Sequence, residues 1–79
     1  MQLELVDYSI VATRPLDDDK FITVLAISFK LSEDKKGLFG IKTEQIEIEQ
    51  NNSMTGFEMD KQCEQESINF VENLSKNDN

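Results

Sequence analysis

The chain contains no histidine and only one cysteine, Cys63, in 79 residues. Without imidazole it lacks the commonest metal ligand and the commonest general base near neutral pH. A single thiol cannot close an internal disulfide. With no basic start and no small-residue cleavage site in "MQLELVDYSI", the lone thiol fits a reducing, cytoplasmic setting. The longest uninterrupted apolar run is Val24-Leu25-Ala26-Ile27. A membrane helix needs roughly 20 such residues. Punctuation is sparse as well: Pro15, Gly37, Gly40 and Gly56. Gly37-Leu38-Phe39-Gly40 lacks both the length and the lysine of a phosphate-binding loop. A chain this short buries only about 60% of its unfolded surface. With disulfides and histidine-based metal sites excluded, oligomerisation or complex formation is the support left to it.

Negative charge is what the chain has in plenty. The formal net charge is −8, and it is unevenly placed. Residues 1–43 hold seven acidic and six basic side chains, a net of −1, whereas residues 44–79 hold nine and two, a net of −7. Direct binding to nucleic acid or to an anionic membrane surface requires the opposite sign. An acidic half is steered instead toward a basic protein surface.

Residues 1–79 read as one small domain with a frayed tail at 76–79. "LELVDYSIVAT", residues 3–13, reads as a strand, with Val6, Tyr8, Ile10 and Ala12 on one face. Leu3 and Leu5 point the other way, which calls for a bulge near residue 5. Pro15 and Asp17-Asp18-Asp19 predict a turn. The aspartates do not make a calcium loop of the EF-hand type, because Phe21 falls where a third ligand is needed. "KFITVLAISFKL", residues 20–31, is a strand that is apolar on both faces and therefore central. A polar loop at 32–37 leads to a third strand over 38–50. There Phe39, Ile41 and Thr43 set one phase and Ile46 and Ile48 the other, so a bulge near 43–45 or two short strands is expected. Thr55-Gly-Phe-Glu58 matches the capping box that opens a helix, with Met54 and Met59 at the staple positions. Met59, Cys63, Phe70 and Leu74, with Ser67 among them, form its core stripe. The predicted fold is α+β: a three-stranded antiparallel meander, then one C-terminal helix packed on one face, β-β-β-α.

One helix covers one face of such a sheet. Ile22, Val24 and Ala26 on the second face, and Phe57, Ile68 and Val71 away from the main helix stripe, are the expected apolar binding residues. Glu44, Glu47 and Glu49 on the third strand, with Asp60 and Glu64 on the helix, form the expected acidic surface. Alternate strand residues stand about 6.6 Å apart and residues one helical turn apart about 6 Å. Carboxylates at that spacing can imitate a phosphate backbone, and an ordinary solvated face is the plain alternative. Cys63 on the inner helix stripe reads as a buried, inert thiol. With no base for it and no cleft around the carboxylates, no catalytic residue, cofactor, metal or small-molecule substrate is expected.

In size, acidity and lack of catalytic groups the chain resembles small phage-encoded inhibitors, anti-CRISPR and anti-restriction proteins among them. That resemblance is one of composition and assigns no residue; it implies action in a host cytoplasm. The function expected is a non-enzymatic inhibitor or adaptor docking on a larger protein with a basic surface, nucleic-acid-binding proteins among the candidates. The alternatives are an assembly subunit, a homodimer or larger, that pairs through its sheet, and a chaperone-like binder of extended peptides.

Overall fold

The computed structural model describes residues 2–36, 38 and 40–77. Strands β1 (Leu3–Pro15), β2 (Lys20–Leu31) and β3 (Lys42–Asn51) are followed by helix α1 (Gly56–Asn77). The strands form one antiparallel sheet in the order β1-β2-β3, so the β-β-β-α arrangement read from the periodicity is the fold. Strand β2 is central because alternate residues suit both faces. On one face Thr23, Leu25, Ile27 and Phe29 are buried. They pack with Ile48 of β3 and with Cys63 and Val71 of α1. Phe29 and Phe70 meet edge to face, with ring centroids 6.3 Å apart. Val71 therefore belongs to the core rather than to an outer helix stripe. It stands one turn beyond Ser67, which is fully buried, so the inward arc of α1 is wider than the residues at 59, 63, 70 and 74 imply.

Strand β1 reaches its pairing through two register shifts, between Leu5 and Asp7 and between Ile10 and Ala12. Each leaves one extra residue, Val6 and Val11, and each exchanges the faces of the residues that follow. The first is the expected bulge. The second was not foreseen, and the face assignment changes with it. Leu3, Leu5, Tyr8 and Ile10 lie opposite Leu31, Phe29, Ile27 and Leu25 on the helix side, while Ala12 lies opposite Val24 on the far side. Strand β3 pairs with β2 without interruption from Lys42 to Asn51, so it contains no bulge at 43–45. Its predicted start at 38 is too early. Gly40 has a φ of 90°, a conformation only glycine adopts easily, and the extended chain resumes after it. The place given to Phe39 in this strand lies outside the described residues.

The turns follow local hydrogen-bonding chemistry. The Asp17 carboxylate accepts the amides of Asp19 and Lys20, both at 2.9 Å, and so closes the β1–β2 turn. The Asp18 and Asp19 carbonyls accept the side chain and main-chain amides of Asn52, which ties this turn to the one before α1. Thr55 and Glu58 form the capping box, each side chain accepting the other's amide, at 3.1 and 3.0 Å. Helix α1 continues through Lys76 and Asn77, past the expected start of a frayed tail; residues 78–79 lie outside the described residues.

The helix crosses the sheet obliquely. Near its start, Gln50 of β3 donates to the Met59 carbonyl and Gln62 donates to the Glu49 carbonyl. Near its end, the Ser75 hydroxyl accepts the Leu3 amide of β1 at 2.8 Å. Thr23 Oγ1 donates to Gln50 Oε1 at 2.6 Å, which satisfies the one buried polar pair between the central strand and β3. Among the described residues no buried side-chain nitrogen or oxygen lacks a partner. The molecule is long, 44 × 22 × 19 Å, with a radius of gyration of 14.1 Å. A compact chain of this length has about 11.6 Å. Its accessible surface of 5528 Å² likewise exceeds the roughly 4,900 Å² usual for its mass.

Candidate protein-binding surface

The face of the sheet opposite α1 is built row by row from the strand register. Arg14, Ile22 and Glu49 form one row, and Ala12, Val24 and Glu47 the next. Ser9, Ala26 and Gln45 follow, then Asp7, Ser28 and Thr43. No element of the described chain lies over these rows, yet Ile22, Val24 and Ala26 are only half exposed. Long polar side chains shade them. The Arg14 guanidinium reaches from β1 across the central strand to the Glu47 carboxylate of β3. It holds that carboxylate at both oxygens, at 2.6 and 2.9 Å. Lys20 pairs with Glu49 at 3.3 Å. The hydroxyls of Ser28 and Thr43 meet at 2.9 Å. The hydrogen bonds from Arg14 hold the Glu47 carboxyl below its ordinary pKa and raise that of Arg14.

The expected binding residues divide among three surfaces. Ile22, Val24 and Ala26 do share the bare sheet face. Phe57 lies on the helix side of the sheet, in the first turn of α1, 71% exposed, with Lys61 Nζ 5.4 Å from its ring centroid. Ile68 is half-buried on α1, and Val71 is in the core. The six therefore do not form one apolar patch. The acidic set is scattered in the same way. Glu47 and Glu49 share the bare face but are held in ion pairs. Glu44, opposite Ile27, belongs to the helix side. Asp60 and Glu64 lie on the helix near Tyr8, whose phenol pKa is raised first by burial and then by Glu64, Cys63 and Asp60. The five carboxylates therefore lie on two sides of the sheet and form no continuous row.

Two features had no expectation attached. Arg14, next to Pro15, is the bar that spans the bare face; no local pattern marks a cation whose partner is 33 residues away. At the other end of the molecule a shallow cavity of about 400 Å³ is bordered by Glu4, Leu5, Val6, Lys30, Lys35 and Lys36. It gathers basic side chains at that end of an acidic protein. Cys63 is buried, and its thiol pKa is pushed up chiefly by desolvation. That is the opposite of what a nucleophile needs. Among the described residues no group of three or more acidic or thiol side chains could hold a metal ion. None of their helices is long and apolar enough to cross a membrane.

Comparison of the chain with protein families, with curated protein sequences and with solved structures finds no match.

Proposed function

We propose that the chain is a small non-catalytic protein-binding module, an inhibitor or adaptor that docks on a larger protein with a basic surface. The observation that carries this reading is the bare sheet face. Ile22, Val24 and Ala26 lie along its midline under nothing but side chains, in a molecule with more exposed surface than its mass calls for. The acidic helix face adds long-range steering toward a basic partner. The raised thiol pKa of Cys63 favours a structural role for the one soft nucleophile.

The test is capture of partners from cell extract by the wild-type chain and by Val24→Glu, with circular dichroism to establish that both are folded. One basic partner in equal proportion, retained by the wild type and lost by Val24→Glu, is the expected result. A monomeric wild type that retains nothing overturns the reading. The same apolar midline also favours a second reading, pairing of two copies through this face. Light scattering at low micromolar concentration decides that: a dimer split by Ile22→Glu supports it, and a monomer removes it.

A further inference from the structure

The two outer edges of the sheet are finished differently. The hydrogen bond from the Asn52 amide to the Asp19 carbonyl, 2.8 Å, fixes the parity of β3. Its even-numbered residues turn their backbone groups toward β2, and Thr43, Gln45, Glu47 and Glu49 turn theirs outward. The bond from the Ser32 amide to the Gln2 carbonyl, 3.1 Å, does the same for β1, where Leu3, Leu5, Tyr8, Ile10 and Thr13 face outward.

The β1 edge is closed to an incoming strand. The Leu3 amide is taken by Ser75 Oγ and the Tyr8 amide by the Asp7 carboxylate, each at 2.8 Å. Bulges at Val6 and Val11 break its line, and Pro15 has no amide to offer. On β3 only the last outward carbonyls are occupied, that of Glu49 by Gln62 at 3.0 Å and that of Asn51 by the Met54 amide at 3.3 Å. From Thr43 to Glu47 the strand is regular, and among the described residues its outward amides and carbonyls have no partner. Proteins normally blunt such an edge, because it is a template for another strand.

Charge selects the occupant. On the bare-face side the β3 edge carries Glu47 and Glu49, already paired with Arg14 and Lys20; on the helix side it carries Lys42 and Glu44 beside the half-buried Ile46, and among the described residues Glu44 has no ion pair. Glu66 stands one helical turn beyond Gln62, whose bond to Glu49 marks the β3 side of α1. An antiparallel second copy centred on Gln45 sets Glu44 opposite Ile46 and Glu47 opposite Thr43, so it brings no cation to either carboxylate. We propose that the outer edge of β3, centred on Gln45, takes up an extended basic segment of another protein as a fourth strand. The incoming strand places an apolar residue opposite Ile46 and lysine or arginine opposite Glu44. This rests on the protein-binding reading above and names the edge and the chemistry of the segment.

The test is a nuclear magnetic resonance titration of the isotope-labelled full chain with an end-blocked octapeptide that repeats lysine-threonine-valine-threonine, so that lysine and valine share one face two residues apart. A matched peptide with glutamate in place of lysine is the control. Saturable shifts and slowed amide exchange at Thr43, Gln45 and Glu47 are expected with the lysine peptide, and neither with the glutamate peptide. Gln45→Pro removes an outward amide that bonds nothing within the sheet. It is expected to weaken the lysine peptide at least about tenfold. If that variant fails to fold, the charge-reversed Glu44→Lys, Glu66→Lys chain serves instead, and it is expected to lose preference for the lysine peptide. Shifts at Leu5, Tyr8 and Ile10, equal binding by the variants, or no shift at millimolar peptide overturn the proposal. So do shifts at residues 43–47 on raising protein concentration without peptide, since those report self-pairing. Shifts confined to Ile22, Val24 and Ala26 overturn the edge alone and leave the protein-binding reading standing.

Discussion

The two faces of β2 are made by alternate residues of one strand, and they are closed by different means. Leu25, Ile27 and Phe29 are covered by a helix and are at most 4% exposed. Ile22, Val24 and Ala26, their immediate neighbours in sequence, are covered only by side chains that reach across from β1 and β3. The first closure removes apolar surface from water and fixes packing. The second shades it with charged groups that remain hydrated, so the faces should differ in how they answer mutation, salt and pH.

The largest difference is expected for paired truncations on β2. Leu25→Ala empties a fully buried site and should cost about 3 kcal/mol in denaturant unfolding, a large share of the stability of a chain this small. Val24→Ala, one residue away on the shaded face, should cost less than about 1 kcal/mol. Equal losses would mean that the bare face is as well packed as the core. A middle-sized effect is expected at Gln50. It accepts from Thr23 and donates to the Met59 carbonyl, joining the central strand to the helix. Gln50→Ala leaves the buried Thr23 hydroxyl without that acceptor and should cost about 2 kcal/mol, measured in the same way. Thr23→Val in the same background should recover part of it.

The smallest effect belongs to the bar across the bare face. The folded-state pKa of Glu47 is lowered from an ordinary 4.5 by its hydrogen bonds from Arg14. A depressed carboxyl pKa contributes stability above the unfolded value, and that contribution disappears as the pH falls through the folded one. Glu47→Gln should therefore be slightly less stable than the wild type at neutral pH and in low salt. The gap should close as the solution is acidified below about pH 4.5 or as salt is raised. A gap that widens on acidification would show that Arg14 is not its cause.

Much of this architecture was legible in the residues, for reasons that are local. The two-sided apolar pattern of residues 20–31 fixed the central strand, and Thr55 with Glu58 fixed the helix start. The clash between Leu3, Leu5 and the following alternation betrayed the bulge at Val6. The bulge at Val11 left no such mark, because Ile10, Val11 and Ala12 are all small or apolar and fit either face. Gly40 was visible, but its positive φ was not, and so β3 was drawn four residues too early. The binding surface was read less well. Ile22, Val24 and Ala26 share a face because they share a strand. The helix residues and carboxylates grouped with them depend on which way a helix rolls and which cation is near, and the spacing between residues carries neither. Val71 and Glu44 are the clearest cases.

The paired bulges of β1 also bear on how this chain tolerates change in length. Val6 and Val11 are the two residues of the strand that have no opposite number on β2. Deleting either one removes a kink and leaves the remaining β1 side chains free to keep their present faces. Deleting a paired residue such as Ser9 forces an inside-out exchange on one side of the gap, or uses up a neighbouring bulge to avoid it. The strand carries two units of slack, and a shortening of the chain by one or two residues there has a place to be absorbed without disturbing the helix-covered core.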